Sequence, residues 1–550
     1  MDTKGCLPPW RLFLTAIGVT VLSYFPVGYH HAVLNVAHET YQRLINESYA
    51  QRYNDGQVPS ESKLSTIWSI TVSSWQIGAL LGSVNAFWVV DKFGRKCTLM
   101  LIAGAFQVAG SLFMILSPPY GYFELLMVGR LLSGISTGLV CPSLRVFLSE
   151  CSPDRYRGTL NSLAGFVMAV AIVSAMACGL PEVWGSGSIG HAQLLLGVCL
   201  PLAIVQMVSY PFFPATPKFL YLTRRLQKKA GASITFYHGS DADVSSVFKE
   251  LERERRLASE ELSFSQALRL KTVRFPLIIS MVAGIVYSSM GVDVVDAYST
   301  EMFIELGMPA RESKLASMLF NVAGIIGAII SIFVVDRLGR RTLLLSTLIT
   351  CILCNIALIF VGALGRYVFS HDPSVGFEFG ATAAAFIGLM TFAYSLGPGA
   401  VLESLFAEVS PHKVRSVAGS ISEVAFWSTN SFYVLVFHPL AVSVGTFAVL
   451  VYTVPLVACT AYFAFYLPET NQMSVADVAE QMLAITQKRN RIRAKSENSV
   501  SSATTTSTIS CVNRQCNDQT NDADEENKHL LTVGHKFNRD TRDGQAPAFV

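Results

Sequence analysis

Charged residues are scarce in this chain: only 15% of its 550 residues are Asp, Glu, Lys or Arg, while 51% are apolar. With a positive mean hydropathy, that balance excludes a soluble multidomain protein of this length and leaves a polytopic membrane protein. A net charge of +3 makes no case for nucleic acid as a partner. Also missing is a Gly-x-x-x-x-Gly-Lys loop to cradle phosphates, which excludes ATP as the energy source. No nucleophile, metal-ligand set or acid and base cluster stands at recognisable spacing, so neither enzymatic activity nor a metal or other cofactor is expected. The eleven cysteines follow no secreted-domain spacing; Cys351 and Cys354 form a Cys-x-x-Cys inside an apolar run and read as small apolar filler. The N-terminus shows no small-residue cleavage site. Lys4 and Arg11 precede an apolar run that continues past Gly28, which reads as a retained first span.

What is abundant is hydrocarbon in long runs. Windows of about 20 apolar residues give twelve expected spans, near 11–34, 66–90, 97–117, 122–147, 159–181, 192–213, 275–303, 315–335, 342–364, 378–406, 417–437 and 444–466. The chain then divides into a six-helix bundle over 1–213, a polar linker over 214–273 with short amphipathic helices, a second six-helix bundle over 274–466, and a tail over 467–550. The tail is rich in Ser and Thr, then acidic, and reads as disordered. Bases collect in the loops after spans 2, 4, 6, 8 and 10, which the positive-inside rule assigns to the cytoplasm together with both termini. The loop over 36–65 then faces outward. It holds the one Asn-x-Ser/Thr sequon, Asn46-Glu47-Ser48, an expected glycosylation site in a plasma-membrane protein.

The chain also repeats itself. Asp91-Lys92-Phe93-Gly94-Arg95-Lys96 returns as Asp336-Arg337-Leu338-Gly339-Arg340-Arg341, each copy a polar glycine turn between two apolar runs. Glu150 precedes Arg157 by seven residues, and Glu408 precedes Arg415 by seven, in the same order. Two related bundles in one chain are the mark of a duplicated membrane fold. Gly78 and Gly82 in span 2, and Gly134 and Gly138 in span 4, have the four-residue spacing that lets helices approach closely in lipid.

These motifs resemble the sugar-porter branch of the major facilitator superfamily, which contains the facilitative glucose transporters and proton-coupled sugar symporters. The resemblance covers about residues 10 to 470. It adds Gly28-Tyr29, Gly129-Arg130, Pro214-Ala-Thr-Pro217, Tyr298-Ser299-Thr300, Gly397-Pro398-Gly399 and Pro468-Glu469-Thr470 to the repeats. It implies an all-α fold of twelve helices in two pseudo-symmetric bundles around a cavity that opens alternately to each side. It also implies cytoplasmic ionic ties: Asp91, Arg95, Arg130, Glu150 and Arg157 in the first half, and Asp336, Arg340, Glu408, Arg415 and Glu469 in the second.

The match fails at positions expected to face substrate. The glutamines and asparagine of span 7 are replaced by Tyr287-Ser288-Ser289-Met290-Gly291-Val292-Asp293, and the span 10 run reads Gly397-Pro398-Gly399-Ala400-Val401-Leu402-Glu403. Trp427 and Asn430 recover part of the span 11 pattern. In place of neutral donors stand ionisable groups. His30 lies where proton-coupled members carry an aspartate, His31 follows it, and Asp293 and Asp296 share one face of span 7. Arg145 and Glu403 occupy equivalent positions in spans 4 and 10, five residues before Glu150 and Glu408, and are expected to pair across the inner mouth of the cavity.

The leading reading is a facilitative carrier of a hexose or related small polar solute, embedded in the lipid bilayer and working by alternating access. One alternative is a symporter in which His30 or the Asp293 and Asp296 pair takes up a proton. Another is a transport-poor nutrient sensor signalling through its tail.

Overall fold

A backbone that crosses hydrocarbon must satisfy its own hydrogen bonds, so each apolar run becomes a helix. The computed structural model describes residues 9–53, 59–180, 189–239, 243–258, 264–269, 273–369, 376–410 and 414–468, and among these no strand occurs. Six membrane-crossing segments lie before the linker: span 1 (Trp10–Val36), span 2 (Glu61–Phe93), span 3 (Arg95–Tyr120), span 4 (Phe123–Cys151), span 5 (Asp154–Cys178), and span 6 in two pieces (Ile189–Gly197 and Cys199–Val208). Six follow it: span 7 in two pieces (Arg274–Ser289 and Val292–Glu305), span 8 (Ala310–Leu338), span 9 (Arg340–Phe369), span 10 in two pieces (Gly376–Leu396 and Pro398–Val409), span 11 (Arg415–Val444) and span 12 (Leu450–Tyr466). The twelve-helix architecture expected from the apolar runs is the one observed.

The repeated hairpins behave alike. Gly94 (φ 86°) and Gly339 (φ 82°) each take a backbone conformation that side chains disfavour, turning the chain between spans 2 and 3 and between spans 8 and 9. A side chain on Gly78 would strike the Leu131 carbonyl, and one on Gly134 would strike that of Trp75, so spans 2 and 4 touch backbone to backbone. Spans 7 and 10 are both interrupted. Gly291 (φ 86°) breaks the first, and Pro398, which cannot continue the hydrogen-bond ladder of the helix before it, starts the second half of the other.

The two halves meet along spans 1 and 7, 2 and 11, and 5 and 8. The linker forms short helices, Gln227–His238, Val244–Ala258 and Phe264–Arg269. The first docks under the N-terminal half, where the Tyr237 hydroxyl donates to Pro214 O (2.8 Å) and the Ser233 hydroxyl to Ala215 O (2.7 Å). At the opposite end the loop after span 1 is itself a helix, His38–Tyr53, held to span 4 by an Arg52 to Glu124 ion pair of 2.7 Å. The tail from 469 onward lies outside the described residues.

Candidate functional site

Between the halves lies a solvent-connected cavity walled by spans 1, 4, 5, 7, 10 and 11. Its neutral wall comes from span 11. Asn430 is 1% exposed, lines the cavity, and has no hydrogen-bond partner for either amide atom among the described residues. A buried amide left unpaired costs about 1–3 kcal/mol, and this one faces the cavity. One turn away, Trp427 donates its indole N–H to Glu423 Oε1 (3.1 Å) and packs edge-on against Trp75 of span 2. Tyr287 stacks obliquely with Tyr394 and Phe426, adding further ring faces to the same wall.

The ionisable wall is sharper. His31 Nε2 stands 3.3 Å from Asp293 Oδ1 and 3.3 Å from Asp296 Oδ2, so one imidazole on span 1 meets two carboxylates on span 7. The three-residue spacing of the acids puts both on the face that meets span 1. His31 and Asp293 line the cavity; Asp296 lies behind them and accepts from Asn321 Nδ2 of span 8 (3.1 Å). All three side chains are buried, which fits charged groups that face each other rather than lipid.

Other candidates serve elsewhere. The His30 ring turns into the N-terminal half, its Nε2 accepting from Gln107 Nε2 (2.8 Å), and it does not line the cavity. Ser288 is buried against the Thr429 hydroxyl, and the Tyr298 hydroxyl donates to Val434 O (2.9 Å); both tie span 7 to span 11. Gly397 lets span 10 press against the Thr347 side chain of span 9, and Pro398 marks the break.

Arg145 lines the cavity with Nη2 3.8 Å from Glu423 Oε2, an ion pair across the halves to span 11. The Glu403 side chain expected to pair with it lies outside the described residues.

At the hairpin end, Arg95 sits between Asp91 (3.8 Å) and Glu150 (3.1 Å), as the motif requires. Glu150 also accepts from the Thr216 hydroxyl (2.6 Å), a tie visible beforehand only as part of the Pro214 to Pro217 motif. Arg130 does not join this cluster, contrary to expectation. It is 1% exposed and donates to three backbone carbonyls, Thr71 (3.1 Å), Val72 (3.0 Å) and His30 (3.2 Å). Twenty helical residues, about 30 Å, separate it from Glu150 along span 4. Arg340 is half-buried at the second hairpin, where the neighbouring Arg341 donates to Ala464 O (2.7 Å). The side chains of Arg157, Asp336, Glu408 and Arg415, and all of Glu469, lie outside the described residues. Asn46 is half-buried within the helix His38–Tyr53, with Ser48 buried and accepting from Arg52.

Sequence reasoning missed the ties at the far end. The Asn35 amide donates to the Ser299 hydroxyl (2.8 Å) and accepts from the Thr300 N–H (3.0 Å). His438 bridges Ser65 (2.7 Å) and Glu301 (3.0 Å). The Asn35 bonds and the His438 to Ser65 contact join spans of opposite halves, while Glu301 braces His438 from within the C-terminal half, so the far end of the bundle is laced shut.

A family model described as "Sugar (and other) transporter" matches residues 15–482. Solute carrier family 2, facilitated glucose transporter member 3, from Homo sapiens is 29% identical over 480 residues, covering 87% of this chain and 93% of that protein. Member 9 of the same family, also from Homo sapiens, is 28% identical over 464 residues, covering 83% of each. Among solved structures, the xylose transporter XylE from E. coli in its inward open conformation superposes with a TM-score of 0.68 at 18% identity, covering 86% of this chain and 99% of that one. Twelve membrane-crossing helices in two halves about a central cavity, and a family match over most of the length, place the chain in the sugar (and other) transporter family.

Proposed function

We propose that the protein is a facilitative carrier of a hexose or a closely related small polar solute, working by alternating access without covalent chemistry. The observation that carries this reading is Asn430, whose amide offers one donor group and one acceptor, both unpaired, to a cavity between two halves. A sugar hydroxyl both donates and accepts, and the ring faces of Trp427 and Tyr287 suit the apolar face of a pyranose. In proteoliposomes holding the purified chain, Asn430→Ala should raise the KM for labelled hexose about tenfold, roughly the loss of one hydrogen bond to a buried group. Unchanged hexose flux in that variant, or no hexose flux in the wild type, overturns the reading.

In this cycle the Arg95, Asp91 and Glu150 cluster latches the hairpin end when the far end opens. The Asp91 arm, with its carboxylate exposed, is worth ~0–1 kcal/mol, weak enough to break once per turnover. The base-rich loops and the sequon support cytoplasmic termini and residence in the plasma membrane, with Asn46 glycosylated. A second reading, proton-coupled uptake, is favoured by His31 lying 3.3 Å from two carboxylates across the halves. An imposed pH gradient separates the two: hexose accumulation that ignores it leaves the facilitative reading standing alone.

A further inference from the structure

Span 11 turns one stripe toward the cavity: Glu423, Trp427 and Asn430, at i, i+4 and i+7, all line it. Within that stripe Glu423 has a partner for each carboxylate oxygen. Oε1 accepts the Trp427 indole N–H (3.1 Å), and Oε2 stands 3.8 Å from Arg145 Nη2 of span 4. An indole has a single polar atom, so an acceptor at Nε1 sets the tilt of the whole ring. Its other neighbours meet it at ring edges, Trp75 at 5.7 Å and 83° and Phe426 at 4.9 Å and 66°. Apolar contact of that kind is non-directional and lets a ring turn. Trp427 also crosses the line between the halves. Its backbone is in the second, yet its side chain is buried in the apolar cluster of the first, which includes Trp75.

From this arrangement we infer that Glu423 is a positioning residue for transport: it sets the Trp427 ring for contact with the solute, and Arg145, from the other half, sets Glu423. Both holds on the ring, Trp75 directly and Arg145 through Glu423, come from the first half. When the halves part at this level the two are lost together, so the grip on the solute weakens in the same movement that opens its way out. A glutamate that only tied the halves together would act on the rate of that movement and not on affinity. The inference rests on the reading of the cavity as a sugar site with Trp427 in its wall, and adds how that ring is held.

The test is initial uptake of labelled D-glucose, with D-fructose in parallel, by the full-length protein in proteoliposomes, resolved into KM and kcat. Glu423→Leu, which cannot accept the indole N–H, should raise KM about tenfold with kcat within threefold of the wild type. Glu423→Gln keeps an acceptor but not the charge that Arg145 meets, and should raise KM about threefold, as should Arg145→Gln. Trp427→Phe keeps an aromatic ring without the N–H and should raise KM about tenfold. In that background none of the three other substitutions should raise it more than twofold further, because all act through the indole. Glu423→Gln and Trp427→Phe are close in shape to the residues they replace, so the cycle is completed with these two if Glu423→Leu does not fold. Wild-type KM in the Glu423 variants, a change in kcat alone, or losses at Glu423 and Trp427 that multiply overturns the inference while leaving the sugar carrier intact. Flux of neither hexose in the wild type overturns both.

Discussion

His31 on span 1 and Asp293 on span 7 lie 3.3 Å apart across the line where the two halves meet. The pair is at once part of the cavity wall and part of the contact between the halves. Replacing the imidazole with an apolar side chain leaves Asp293 and Asp296 buried without their shared base. His31→Leu is expected to cost about 3–5 kcal/mol, the usual penalty for orphaning a buried charge. The measure is Tm in detergent, and adding Asp296→Asn should recover most of the loss. A single variant as stable as the wild type would remove the pair from this account.

Arg145 and Glu423 face one another across the halves. Arg145→Glu alone and Glu423→Arg alone should each lower hexose flux at least tenfold, because each sets two like charges face to face. The double reversal should restore a large part of it. A double no better than the singles shows that Arg145 works through another partner.

The hairpin tie reads out differently. Thr216→Val removes the hydroxyl that donates to Glu150 while leaving the Arg95 ion pair in place. Hydrogen bonds to charged groups contribute about 1.5–3 kcal/mol. If the tie latches the hairpin end, the variant should shift the balance toward the state open at that end. Cysteine labelling inside the cavity, applied from each side of the bilayer, should then rise five-fold or more from the hairpin side. Equal labelling in wild type and variant would confine Thr216 to a local role.

His38, on the helix that follows span 1, is buried, and burial holds its pKa below the usual value of about 6.5. Glu301 and Glu39 nearby oppose that shift and Lys314 adds to it. With the folded value below the unfolded one, the unfolded chain takes up the proton first as the pH falls. The contribution to stability is complete above about pH 6.5 and is lost progressively below it. Tm measured from pH 7.5 down to 5 should fall, and the fall should be shallower in His38→Gln. Parallel curves would assign the acid sensitivity to other groups.

Asn46 offers a check on orientation. If the helix His38–Tyr53 faces outward, glycosidase treatment of the protein from a eukaryotic membrane should increase its mobility, and Asn46→Gln should abolish the change. A wild-type chain without the shift would withdraw the support that the sequon lends to the assigned topology.

The helices and hairpins were legible because hydrophobic length and a repeated glycine turn are local properties. The site was legible only in part. His30 and His31 are adjacent, but successive helical residues point about 100° apart, and nothing local tells which one meets span 7. Asp293 and Asp296 could be placed on one face by their spacing, but not assigned a partner 260 residues away. Trp427 and Asn430 were recognisable, yet the vacancy of the Asn430 amide depends on everything packed around it. Glu423, Asn35, Ser65 and His438 gave no signal at all, since each is defined by what it touches in the other half. Arg130 went astray for a related reason. Its motif fixes the residue but not the depth, and three carbonyls hold it far from the acids it was expected to meet.

The glycine seam between spans 2 and 4 has a mechanical corollary. Backbones in direct contact at Gly78 and Gly134 leave no side-chain layer to slide upon, so those two helices travel as a single rod. Displacement must then be concentrated where the halves adjoin, and a pair of spin labels placed on spans 2 and 4 should report the same separation at every stage of turnover, while a pair on spans 1 and 7 should not.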